Sequence, residues 1–142
     1  MHWSNVENGQ VEESETPNIK QVIVMRHDLK MRRGKQIAQG AHASMSFLTR
    51  RLQSSKSISL DEFSPNAQAW INGSFAKVCV RFNSEEELIA IHDEAMEMGL
   101  EVHLITDSGR TEFHGKPTRT CLAIGPDDAW KIDQVTGHLE LL

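Results

Sequence analysis

Four short apolar runs pace this chain: QVIVMR (21–26), AKVCVRF (76–82), EVHLIT (101–106) and RTCLAIG (119–125), with stretches of helical period between and after them. This alternation constrains the fold more than any other feature. Runs of six or seven residues rich in Val, Ile and Thr have the length and composition of strands, whereas apolar residues recurring at steps of three and four mark helices. The order strand, helix, strand, helix, strand, strand, helix belongs to an α/β domain with helices on both faces of a mainly parallel sheet. A chain of 142 residues holds one such domain and can bury about two thirds of its unfolded surface in a single core.

Between about Lys35 and Gln53, Ile37, Ala41, Met45, Leu48 and Leu52 recur at the spacing of a core-facing stripe. Lys35, Gln39, His42 and Ser46 follow the same spacing two residues out of phase, which at about 100° per residue turns them to roughly the opposite side. Residues 54–68 are Ser-rich and contain Pro, so they read as a loop with a short helix around 67–71. Ser84 and Glu87 form a capping box that opens a helix to about Met98, where Gly99 stops it. The polar segment 107–118 is long enough to join antiparallel neighbours. A last helix starts near Asp127 or Asp128 and ends about Val135, before Gly137.

Charge is unevenly spread. Residues 1–19 carry four glutamates and no Lys or Arg, hold few large apolar residues, and are expected to lack fixed structure, leaving a domain over 20–142. The net charge of −5 thus becomes 15 basic against 16 acidic residues once that tail is set aside. Residues 20–52 hold eight basic residues against the single acid Asp28, an asymmetry that suits a phosphate-binding face as well as a solvated one. The N-terminus has neither the basic start nor the apolar core of a secretion signal, and no apolar run approaches the length of a membrane span, so a cytoplasmic location and no membrane partner are expected. Cys79 and Cys121 sit in apolar runs and read as buried thiols. The seven histidines never pair at i, i+4, and no metal site is legible.

Several residues could carry chemistry. Lys35 follows Gly34 at a helix start, where free N–H groups favour an anion, and could bind phosphate or steady an oxyanion. A phosphate-binding P-loop is excluded because Gln36 follows the GK pair. Asp107, directly after an apolar strand, could position a water or simply cap its turn. Thr111 and Thr120 could serve a site or bond local backbone, and His42, among small residues, fits a packing role better than a catalytic one.

Taken together, three separated blocks carry more than their members. RHDLKMRRGKQIAQGAHAS (26–44) is similar to the pattern R-x-D-L-x-M-x-x-G-K-x-A-A-Q-x-x-H-A. TDSGRT (106–111) is similar to D-A-G-x-T, and Thr120, IGP (124–126) and IDQVTGHLELL (132–142) close the series. In order and spacing they resemble the archaeal and eukaryotic type of peptidyl-tRNA hydrolase, the Pth2 family. The resemblance implies a three-layer α/β/α sandwich with a mixed four-stranded sheet, and hydrolysis of the ester joining a peptide to the 3′ end of tRNA.

By matched position it implies a catalytic set of Lys35, Gln39, Asp107, Thr111 and Thr120, with no metal or organic cofactor. Arg26, Lys30, Arg32, Arg33 and His42 would contact the substrate, with Arg50 and Arg51 extending the basic track along tRNA; a homodimer is left open. Asp107 with Thr111 would orient a water, Lys35 would stabilise the oxyanion, and Gln39 would fix Lys35 or the substrate. Departures from the pattern at Arg32, Ile37, Thr106 and Ser108 remove none of these groups. The rival reading is a non-catalytic RNA- or protein-binding module of the same fold.

Overall fold

The computed structural model describes residues 18–110 and 113–142. Its elements are β1 (Ile19–Arg26), α1 (Arg33–Ser55), a single 3₁₀ turn at Leu60–Glu62, α2 (Pro65–Asn72), β2 (Lys77–Phe82), α3 (Glu85–Glu97), β3 (Val102–Asp107), β4 (Thr118–Asp128) and α4 (Ala129–Thr136). Each expected element is present, with α2 longer than the sequence suggested. The capping box at α3 is only half formed: Ser84 Oγ accepts the Glu87 N–H, but the Glu87 carboxylate reaches the N–H of Asn83.

The sheet order is β2-β1-β4-β3, with β1 and β2 parallel and β4 antiparallel to both of its neighbours. It is therefore a mixed sheet, and the expectation of mainly parallel strands is corrected: the 107–118 connection is short enough to return as a neighbour of β3. α3 and α4 cover one face over Val22, Val24, Leu122 and Ile124. α1 and α2 cover the other, over Ile19, Ile23, Met25, Cys121 and Ala123. Together these make the three layers of an α/β/α sandwich. Cys79, expected to be buried, is exposed because β2 is an outer strand.

The largest departure from the sequence reading concerns α1. Most of its apolar stripe faces outward: Ile37 is 67% exposed, Met45 56% and Leu52 43%, while Leu48 packs against the Phe47, Phe63 and Trp70 cluster. The side against the sheet is Gln39, Ala43, Ser46 and Phe47, the face that holds the polar stripe. Small residues let the helix approach closely; a Cβ on Gly40 would already touch Met25 Cε at 3.8 Å. Buried polar groups cost little there because each has a partner. Ser44 Oγ donates to Gln21 Oε1 at 2.6 Å, Gln21 Nε2 donates to Ser44 O, and Ser46 Oγ donates to His42 O.

β4 carries two irregularities. Gly125–Pro126 is a cis peptide within one of them; Gly125 has φ +94, and a Cβ there would lie 2.8 Å from Lys20 O, so only glycine fits. At the other, Ile105 pairs with Cys121 and Thr106 with Arg119, leaving Thr120 as an extra residue. Such a bulge re-aims side chains. Here two consecutive residues, Thr120 and Cys121, both reach Gln39 of α1.

Candidate active site

The site lies where the start of α1 meets the end of β3 and the bulge of β4. Lys35, in the first turn of α1, extends its ammonium to Asp107, the last residue of β3, with Nζ to Oδ1 at 3.0 Å. Both side chains are mostly withdrawn from solvent, at 15% and 13% exposed. One turn further, buried Gln39 donates Nε2 to the same Oδ1 at 3.2 Å and accepts at Oε1 from Thr120 Oγ1 at 2.5 Å. The Thr120 hydroxyl therefore holds the amide with its NH₂ toward the carboxylate. Gln39, expected to fix Lys35 or the substrate, bonds the same Asp107 oxygen that Lys35 does.

The second carboxylate oxygen is occupied from its own loop, where Gly109 N–H donates to Oδ2 at 2.9 Å. Gly109 has φ +83, and a Cβ would sit 2.0 Å from Lys116 O, so the loop can fold back on itself only with glycine at this position. Burial pushes the Asp107 carboxyl up, but the Lys35 ammonium, the Gly109 N–H and the Gln39 amide outweigh it and hold the pKa below the usual aspartate range. Asp107 is therefore an ionised hydrogen-bond acceptor with fixed orientation. The Phe113 ring lies 5.9 Å from Lys35 Nζ and flanks the ammonium.

Beside this cluster is a cleft of about 390 Å³, bounded by residues 104–108 on one side and by Gln39, His42 and Arg50 on the other. His42, which residue type alone suggests would pack and the family resemblance sets against the substrate, is exposed on the cleft wall. Arg50 is the next step of the stripe formed by residues 35, 39, 42 and 46, a periodicity that could have placed it on the cleft from sequence alone. Thr111 lies outside the described residues. Of the basic set, Lys30, Arg32 and Arg33 are exposed before and at the start of α1. Arg26 bonds Asp28 through Nε and Nη2 and Arg119 O through Nη1, bracing the end of β1 against β4. Arg51 is engaged by Glu101 through two bonds of 2.7 Å and is drawn into the fold.

No serine or cysteine side chain bonds a histidine ring among the described residues, and burial pushes the Cys121 thiol up to about 12, so it stays protonated. No group of three or more His, Cys, Asp or Glu is placed to hold a metal among them. A lysine, an ionised aspartate, a glutamine and a threonine thus meet at the edge of a mixed sheet in an α/β protein, beside an open cleft.

The comparisons with known proteins are specific about which one. The family model for peptidyl-tRNA hydrolase PTH2 matches residues 19–142, and the chain belongs to that family. It is 41% identical over 125 residues to the peptidyl-tRNA hydrolase of Methanocaldococcus jannaschii, covering 87% of this chain and all of that protein. The peptidyl-tRNA hydrolase of Methanopyrus kandleri is 41% identical over 87% of this chain and 97% of its own length. The probable peptidyl-tRNA hydrolase 2 of Drosophila melanogaster is also 41% identical, over 88% of this chain and 62% of the fly protein.

Proposed function

We propose that the chain hydrolyses the ester of peptidyl-tRNA, releasing peptide and free tRNA, with Lys35, Gln39, Asp107 and Thr120 as the working set. Family membership supports the reaction, and one observation carries the assignment of residues: Lys35 and Gln39 converge on a single oxygen of Asp107 while Thr120 locks Gln39. Asp107, held ionised, orients a water toward the ester carbonyl, and the proton that the water gives up on attack passes to the ribose oxygen as the ester C–O bond breaks. Lys35 shares its charge with the oxyanion as it forms, and a ribose leaving group requires no covalent step. Thr111 completes the water's orientation, and His42 faces the substrate from the cleft wall.

Lys30, Arg32 and Arg33 meet tRNA phosphates by charge, independent of base sequence. A cytoplasmic location is the reading we propose, since translation there supplies the substrate; no helix is long and apolar enough to cross a membrane among the described residues. A homodimer would bury the outward stripe of Ile37, Met45 and Leu52 on α1; sedimentation as a monomer at micromolar concentration removes it. The deciding assay offers N-acetyl-aminoacyl-tRNA to the purified protein and to Asp107→Asn. Release by the first and near-loss by the second is expected, whereas no release by the first favours the RNA-binding reading.

A further inference from the structure

The two outer strands of the sheet are finished differently. The outer edge of β2 is closed by the C-terminal residues, with Arg81 N–H donating to Glu140 O and Leu142 N–H to Cys79 O, each at 3.0 Å. No strand covers the outer edge of β3 among the described residues, and the cleft beside the catalytic cluster runs along it. Successive side chains of a strand point to opposite faces, so a cleft bounded by five consecutive residues, 104–108, is bounded by the main chain of the edge and not by one face. Leu104 C=O points outward and accepts Arg50 Nη2 at 2.7 Å. The extra residue of the bulge belongs to β4, so β3 keeps its period of two and the N–H and C=O of Thr106 point the same way. Thr106 is exposed, and the strand ends at Asp107.

We propose that this edge is the peptide subsite, and that it takes the peptide of the substrate as an added strand parallel to β3. The inference rests on the assignment of Lys35 and Asp107 above. Its direction follows from the chemistry: the esterified C-terminal residue lies at Asp107, and β3 runs toward Asp107, so the peptide runs alongside it in the same sense. Main-chain pairing suits a substrate whose side chains vary without restriction, because only N–H and C=O groups are read.

Arg50 sets the length of the pairing. Its guanidinium is held by Leu104 O and by His103 Nδ1 at 2.9 Å; since arginine only donates, His103 carries its proton on Nε2, which bonds Glu101 at 2.5 Å. The Leu104 carbonyl is thereby occupied and Thr106 is left as the pairing residue. From Asp107 back to Leu104 is about 10 Å of strand, or about three residues, beyond which the peptide passes over Arg50 into solvent.

The test uses the wild-type protein and varies only the substrate: tRNA carrying N-acetylated peptides of one to five residues, and a three-residue series N-methylated at one position at a time. kcat/KM is expected to rise up to about three residues and then level. N-methylation at the position that pairs with Thr106 should lower it about twofold to tenfold, the worth of one net hydrogen bond, while the neighbouring position changes it little. The same kcat/KM at every length, equal sensitivity to every N-methyl position, or a dependence on side-chain identity instead overturns the proposal; an RNA end occupying the cleft gives the first of these. The one-residue substrate reports the hydrolase by itself, so a flat length series with that substrate still cleaved removes only the edge pairing, whereas its resistance removes the functional assignment beneath it.

Discussion

Asp107 receives three donors from two parts of the chain: the ammonium of Lys35 and the amide of Gln39 from α1, and the N–H of Gly109 from its own loop. Removing the ammonium alone leaves the carboxylate seated by the other two, so Lys35→Ala is expected to fold and to lower kcat by about 100-fold to 1000-fold, the cost of one oxyanion donor. A loss below about tenfold by the same assay would make Lys35 structural. The pH dependence has a definite sign. Because the folded pKa of Asp107 is depressed, the stability and activity that depend on its charge are present above its unfolded value of about 3.9 and are lost only as the pH falls through the lower folded value. The acid limb of kcat/KM due to this group is therefore expected below that value. A limb near neutrality would assign the titration to another group.

Helix α1 shows what an element's pattern does and does not say. Replacing Ile37 by Glu is expected to change stability by no more than about 0.5 kcal/mol, since the side chain is 67% exposed. Phe47→Ala should cost about 3–5 kcal/mol, because Phe47 is 2% exposed and packs against Phe63 and Trp70 with ring centroids at 5.0 and 5.8 Å. Thermal or denaturant unfolding of the pair checks this, and the outcome is the reverse of what the apolar periodicity implies. The far end of α1 is tied to β3 by charge. Burial pushes Glu101 up, but Arg51 and His103 outweigh it and bring its pKa down to about 2. Its contribution is therefore complete above the usual glutamate value and lost as the pH falls toward about 2. Glu101→Gln should lower Tm at neutral pH, and its gap to wild type should close as the pH drops through that window.

At the scale of the molecule, a chain of net charge −5 is proposed to meet a polyanion through one concentrated basic region. tRNA affinity is expected to fall linearly on a log–log plot against salt, and replacing Lys30, Arg32 or Arg33 by Ala should each reduce that slope by about 1. A titration in which these variants keep the wild-type slope would move the tRNA to another face. The concentration of basic residues and the order of elements were legible without coordinates, because charge runs, periodicity and caps are written in neighbouring residues; that Lys35, Gln39, Asp107 and Thr120 belong to one set followed only from the resemblance of three separated blocks to a family. Which face of α1 is buried was not legible. Its spacing supports two stripes equally well, and the choice fell to the polar one because the sheet supplies partners, Asp107, Thr120 and Gln21, from distant parts of the chain. The same holds for the bulge that turns Thr120 toward Gln39 and for the open edge of β3. Sequence by itself determined the elements and the chemical groups, which depend on local pattern; tertiary structure alone decided which groups meet, because strand pairing, register and close helix–sheet approach are set by contacts between residues far apart in the chain.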